Sequence, residues 1–140
     1  MRISRALQAS AALALAGCAA VTTVDGQRLG LASADFRAYV ERVFREQNRV
    51  ASDLGFALED HPDPALTAAE DELLAACAGV NELATLRRDQ QRTGLRRGAA
   101  AARTVPDCER ATRDARDALE RSAQSQGGGG RPLPRRKSGL

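Results

Sequence analysis

The residues of this 140-residue chain with most chemistry to offer are three cysteines, at positions 18, 77 and 108, and a single histidine, His61. His61 lies in Glu59-Asp60-His61-Pro62-Asp63, among carboxylates. A serine or cysteine hydrolase needs its histidine beside a nucleophile held by a third group. No glycine-flanked serine of that kind occurs in the sequence. A zinc site wants more nitrogen or sulfur ligands than one histidine supplies. Pro62 and Pro64 stiffen the segment, so it reads as a structural loop. Glu70, Asp71 and Glu72 form an acidic cluster, but a helix N-terminus collects acids through its dipole alone. These residues assign no catalytic group, no metal site and no cofactor.

Cys18 has a more specific setting. Met1-Arg2-Ile3-Ser4-Arg5 is short and basic, and Ala6 to Ala16 is apolar apart from Gln8 and Ser10. That order of charge and apolar run is the order of an export signal. A run of about 11 residues falls short of the ~20 needed to span a bilayer. Leu15-Ala16-Gly17-Cys18 closes the run. It resembles the lipobox of bacterial lipoproteins. The resemblance covers about the first 20 residues and implies cleavage after residue 17, with a covalent lipid on Cys18 the only attached group. Stable anchoring takes two or three acyl chains, which that class carries. Ala19 follows the cysteine where the enteric sorting pattern puts Asp for inner-membrane retention. The resemblance therefore implies a periplasm-facing protein in the outer membrane rather than the inner one.

Composition bounds the remainder. Residues 18–140 suit one small domain with a tail. With no Trp, one Tyr and three Phe, a core must come from Ala, Leu and Val, which favours helices over sheets. The formal charge of +3 is unevenly placed. Arg2 and Arg5 lie in the signal, and Arg131, Arg135, Arg136 and Lys137 in the last ten residues. Between 18 and 130 the acids outnumber the bases, 18 to 15. Such a body is a poor nucleic-acid binder.

The elements follow from period and caps. Residues 18–32 read as an extended tether; Asp25-Gly26 could turn a hairpin, but two strands alone are marginal. A first helix is predicted over 34–54, capped by Ser33, with Phe36, Val40, Val43, Phe44, Val50, Ala51 and Leu54 on one face. Gly55 stops it, and 56–64 is a loop. A second helix opens with Thr67 and Glu70 as a capping box and aligns Leu73, Cys77, Val80 and Ala84. A third begins near Thr104-Val105-Pro106-Asp107 and presents Cys108, Ala111, Thr112, Ala115, Leu119 and Ser122. Its charges at i,i+4, such as Glu109/Arg113 and Arg116/Glu120, read as a solvated surface.

In an oxidising compartment Cys77 and Cys108 read as a disulfide; two separate buried thiols are the alternative. The bond constrains the layout. A helix unbroken from 77 to 103 would travel about 39 Å, and residues 103–108 return at most about 18 Å. A bonded chain must break near 89–98, where Gly94 and Gly98 stand. From Gln124 the sequence turns to SQGGGGRPLPRRKSGL, a composition that builds no core.

The reading is an all-α, small three-helix bundle with one disulfide: signal 1–17, tether 18–32, helical domain 33–123 and disordered basic tail 124–140. The function expected is non-catalytic, an accessory or interaction protein of the cell envelope. Its partners would be membrane lipid through the anchor and an envelope protein or peptidoglycan, not nucleic acid. Asn81, Arg87, Arg88 and Arg92 are the candidate partner surface. A structural tether through the basic tail is the alternative, and a small hydrolase the third reading.

Overall fold

The structure, a computed structural model, describes residues 19–89 and 94–127. It is an all-α bundle of three long helices with one short helix and a small hairpin added. The signal expected over 1–17, Cys18, Arg92 and the tail beyond Gly127 fall outside the described residues.

The described residues open with strands β1 (Ala20–Thr22) and β2 (Arg28–Gly30), paired antiparallel with Val21 opposite Leu29. This differs from the extended tether expected over 18–32. Gly26 takes φ 84°, a conformation open to glycine at no steric cost. The Thr23 hydroxyl accepts from the Gln27 amide at 3.0 Å. The pair escapes the marginality of an isolated hairpin because Val21 is buried in the bundle core, with Leu29 packed beside it.

Helix α1 (Ala34–Asp60) begins where expected: the Ser33 hydroxyl accepts from the Phe36 amide at 3.0 Å. It does not stop at Gly55. Glycine inside a helix costs only about 1 kcal/mol, and Ala57 and Leu58 pack against the core one turn further on. The stop falls at His61, which is extended at φ −147°, as the residue before a proline must be. Residues 56–60 are therefore helix, not loop.

Helix α2 (Pro64–Arg88) also starts earlier than the Thr67 capping box implied. Asp63 is the cap, accepting from the Ala65 amide at 2.8 Å, and Pro64 occupies the first turn, where its missing N–H costs nothing. Thr67 instead donates its hydroxyl to the Asp63 carbonyl at 3.1 Å.

The break demanded by the disulfide is present. Helix α2 ends at Arg88, and a separate helix α3 (Leu95–Arg103) begins after Gly94. Helix α4 (Val105–Gly127) follows at once, with proline and Asp107 in its first turn. It runs past residue 124, where the tail was expected to begin. Cys77 and Cys108 form the disulfide, with Cα atoms 4.5 Å apart and both residues fully buried.

Four contacts fix the directions. Tyr39 meets Glu109 and Glu46 meets Arg116, so α1 and α4 run parallel. Cys77 meets Cys108 and Asp63 meets Ser122, so α2 is antiparallel to α4. Leu54, Leu66, Leu73, Val80 and Val105 fill the space between them.

Candidate functional site

Glu109 is the one buried carboxylate among the described residues, at 4% exposure. It projects from the first turns of α4 toward α1. Its Oε2 accepts from the Tyr39 hydroxyl at 2.8 Å. Its Oε1 accepts from Arg42 at 3.1 Å and from Arg113 at 2.9 Å. Arg113 reaches on to both carboxylate oxygens of Asp25 in the hairpin turn, at 3.1–3.2 Å. The Arg42 guanidinium lies 5.3 Å from the centre of the Tyr39 ring, within range of a cation–π attraction. One carboxylate thus binds three elements together.

The electrostatics follow from these contacts. Burial pushes the Glu109 pKa up, but hydrogen bonds from Tyr39, Arg42 and Arg113 outweigh it and hold the carboxyl below its ordinary value. Burial raises the Tyr39 phenol, and its bond to the Glu109 anion raises it further. Arg113 is raised by its bonds to Glu109 and Asp25. At neutral pH the cluster is a fixed ion network in which the carboxylate is a weak base and the phenol a weak acid. General acid–base work needs a pKa near the working pH, and neither group is tuned that way. A shallow cleft of about 270 Å³ beside the network is lined by Arg42, Glu46, Thr112 and Arg116. Glu46 and Arg116 pair across it.

Sequence reasoning placed Glu109 and Arg113 on a solvated helix face. The i,i+4 pair forms, but Glu109 is interior, Arg113 also reaches the hairpin, and Arg116 pairs with α1 rather than with Glu120. The position of Glu109 directly after Cys108 was an available signal: a residue next to a fully buried one, on a helix with a narrow small-residue face, lies at that face's edge.

The other candidate residues are scattered. His61 is exposed at the end of α1, at the rim of a broad groove shared with Asp53, Asp60 and Glu120. Among the described residues no three His, Cys, Asp or Glu side chains gather as a metal site would require. Glu70, Asp71 and Glu72 sit in the second and third turns of α2, not at its N-terminus as expected, because the helix starts at Pro64 and its first turn holds no acid. Asn81, on the candidate partner surface, turns inward: its Oδ1 accepts from Gln47 Nε2 at 2.8 Å, and Gln47 is only 2% exposed. Asn48 donates to the Phe44 carbonyl on its own helix. Arg87 and Arg88 are exposed in the last turn of α2, Arg88 beside Asp89 at 3.2 Å. No helix among the described residues is long and apolar enough to cross a membrane.

The fold and site define a disulfide-linked helical bundle with an ion network around one buried carboxylate. Comparison of the chain with known protein families, with curated proteins and with solved structures finds no match.

Proposed function

We propose that the protein is a lipid-anchored, periplasm-facing lipoprotein of the bacterial envelope. In this reading it is non-catalytic and works as an accessory or interaction subunit, held in the outer membrane. The observation that carries it is Leu15-Ala16-Gly17-Cys18 at the end of an apolar run, one residue before the folded domain begins. The Ala19 carbonyl already accepts from the Leu31 amide at 3.0 Å. The acyl chains on Cys18 would therefore meet a compact domain with no spacer. The disulfide supports the same location, because such bonds persist in oxidising compartments. The non-catalytic reading draws support from Glu109, whose oxygens are committed to Tyr39 and two arginines.

Two measurements on protein extracted from envelopes test this. Intact mass should show loss of residues 1–17 and a diacylglyceryl thioether on Cys18; an unmodified, uncleaved chain would refute the anchor. Cross-linked pull-down should return a stoichiometric envelope protein. Recovery of peptidoglycan alone would instead favour a tether acting through Arg131, Arg135, Arg136 and Lys137.

A further inference from the structure

The charges of the chain are segregated along its length. From residue 51 to 86 there is no Lys or Arg, while eight acids occur: Asp53, Glu59, Asp60, Asp63, Glu70, Asp71, Glu72 and Glu82. From 87 to 106 there are six arginines and only Asp89 against them. The fold converts this segregation into two ends. Because α1 and α4 run parallel and α2 runs against them, one end of the bundle gathers the start of α1, the last turn of α2, all of α3 and the start of α4. The other end gathers the close of α1, the opening turns of α2 and the close of α4. Arg87, Arg88, Arg96, Arg97 and Arg103 belong to the first end, where they outnumber Asp35, Asp89 and Asp107. Glu59, Asp60, Asp63 and the 70–72 cluster belong to the second, together with Arg121.

The first end is also where the chain enters the domain. Ala19 and Ala20 pair with Leu31 and Gly30, two residues before the cap of α1. The described chain therefore enters the domain at the arginine-bearing end, and Cys18 is the residue before Ala19 in the sequence. Helix α3 is built to face outward there. Ala101 and Ala102 are buried, while Arg96, Ala100 and Arg103, spaced four and then three residues apart, are exposed. Among the described residues Arg97 pairs with Glu82 and Arg88 with Asp89, whereas Arg87, Arg96 and Arg103 have no carboxylate within ion-pair distance.

We infer that this end, through the exposed Arg87, Arg96 and Arg103, is a docking face for the phosphates of anionic lipid headgroups in the membrane that holds the anchor. The inference rests on the lipid-anchor reading above. Lipidation at Cys18 brings the face to the bilayer with no spacer, and unpaired arginines near an anionic surface are attracted to it. The acidic opposite end is repelled by the same surface, so the domain stands upright rather than tumbling on its anchor.

The test uses the lipid-modified full chain reconstituted into vesicles of phosphatidylcholine, with or without about one third phosphatidylglycerol, and follows amide hydrogen exchange. On the anionic vesicles, exchange in α3 and the last turn of α2 should slow by about fivefold or more, while the first turns of α2 stay unchanged. The slowing should vanish in about 0.5 M salt and in the Arg87→Gln/Arg96→Gln/Arg103→Gln variant. These side chains are exposed and unpaired, so that variant keeps its fold. Removing residues 128–140 should leave the slowing intact. Identical exchange on both vesicles, or slowing that disappears with the tail, overturns the docking face. The mass of the Cys18 adduct decides the anchor separately: a lipid adduct with identical exchange refutes the face alone, and absence of the adduct refutes both.

Discussion

The hydroxyl of Tyr39 donates to Glu109 Oε2 at 2.8 Å across 70 residues of chain, and Arg42 and Arg113 close on the same carboxylate. Removing the charge of the one buried member of this network weakens its charge-assisted hydrogen bonds, while the half-exposed Arg42 and Arg113 stay partly solvated. Glu109→Gln should therefore destabilise the bundle by about 2–3 kcal/mol, below the full cost of breaking a buried pair because both arginines are half-exposed. Tyr39→Phe should cost less, about 1–2 kcal/mol, since the carboxylate keeps both guanidiniums. Urea midpoints of the two variants check the order; equal losses would mean the arginine contacts contribute nothing.

The same cluster sets a pH dependence. Glu109 has a folded pKa below its unfolded value. Its contribution is present in full above the ordinary carboxylate range and is lost as pH falls from that range through the folded pKa. Tyr39 has a folded pKa above its unfolded value. Its contribution is full below about pH 10 and is lost as pH rises through the folded pKa. Thermal midpoints measured across pH should fall at both extremes. In Tyr39→Phe the alkaline fall should be weaker.

How much of this was legible in the sequence depends on which interaction decides each element. Ser33, Pro106 and the apolar periods act locally, so the starts of α1 and α4 and much of their buried faces could be read directly, but not the buried Tyr39, Gln47 and Glu109, whose polar groups find partners on other helices. The break between α2 and α3 followed from distance alone once Cys77 and Cys108 were bonded. Gly55 misled because its local cost is about 1 kcal/mol, less than the packing of Leu58 beyond it recovers. Asp63 competed with Thr67 for the cap, and Pro64 beside it decides the outcome. The hairpin and the Glu109 network depend on contacts across most of the chain, which no local pattern reports. Asn81 read as a polar surface residue because its partner, Gln47, lies 34 positions away.

That pair gives a third prediction. Asn81→Ala leaves the buried Gln47 amide without its acceptor and should cost about 1–3 kcal/mol. Replacing both residues by leucine should recover most of the loss, because no polar group then lies buried without a partner. A double variant as unstable as Asn81→Ala would mean that packing volume, not the hydrogen bond, sets the cost.

The disulfide is the fourth. Cys77 and Cys108 are separated by 31 positions and lie wholly in the core. Closing a loop of that size stabilises by about 3–4 kcal/mol on the chain-entropy estimate. For a small domain with an alanine-rich core that is a large fraction of the total. Cys77→Ala/Cys108→Ala should therefore shift the urea midpoint well down, and reduction of the native protein should produce a shift of similar size.

Two helical glycines, Gly55 in α1 and Gly79 in α2, make opposite predictions from the same substitution. A Cβ at Gly55 would meet nothing within 4 Å. Gly55→Ala should stabilise by about 0.5–1 kcal/mol, through helix propensity and a less flexible unfolded chain. A Cβ at Gly79 would lie 2.5 Å from Oγ1 of Thr104 and 3.4 Å from its Cβ and Cγ2. Thr104 cannot easily yield: its hydroxyl donates to the Ala101 carbonyl at 2.7 Å, and its own carbonyl accepts from the Cys108 amide. Overpacking of this kind costs about 1–3 kcal/mol, so Gly79→Ala should destabilise despite the gain in propensity. Paired urea melts of the two variants decide it. A stabilised Gly79→Ala would mean that α2 and the α3–α4 junction are packed less closely than the 2.5 Å approach to Thr104 Oγ1 requires.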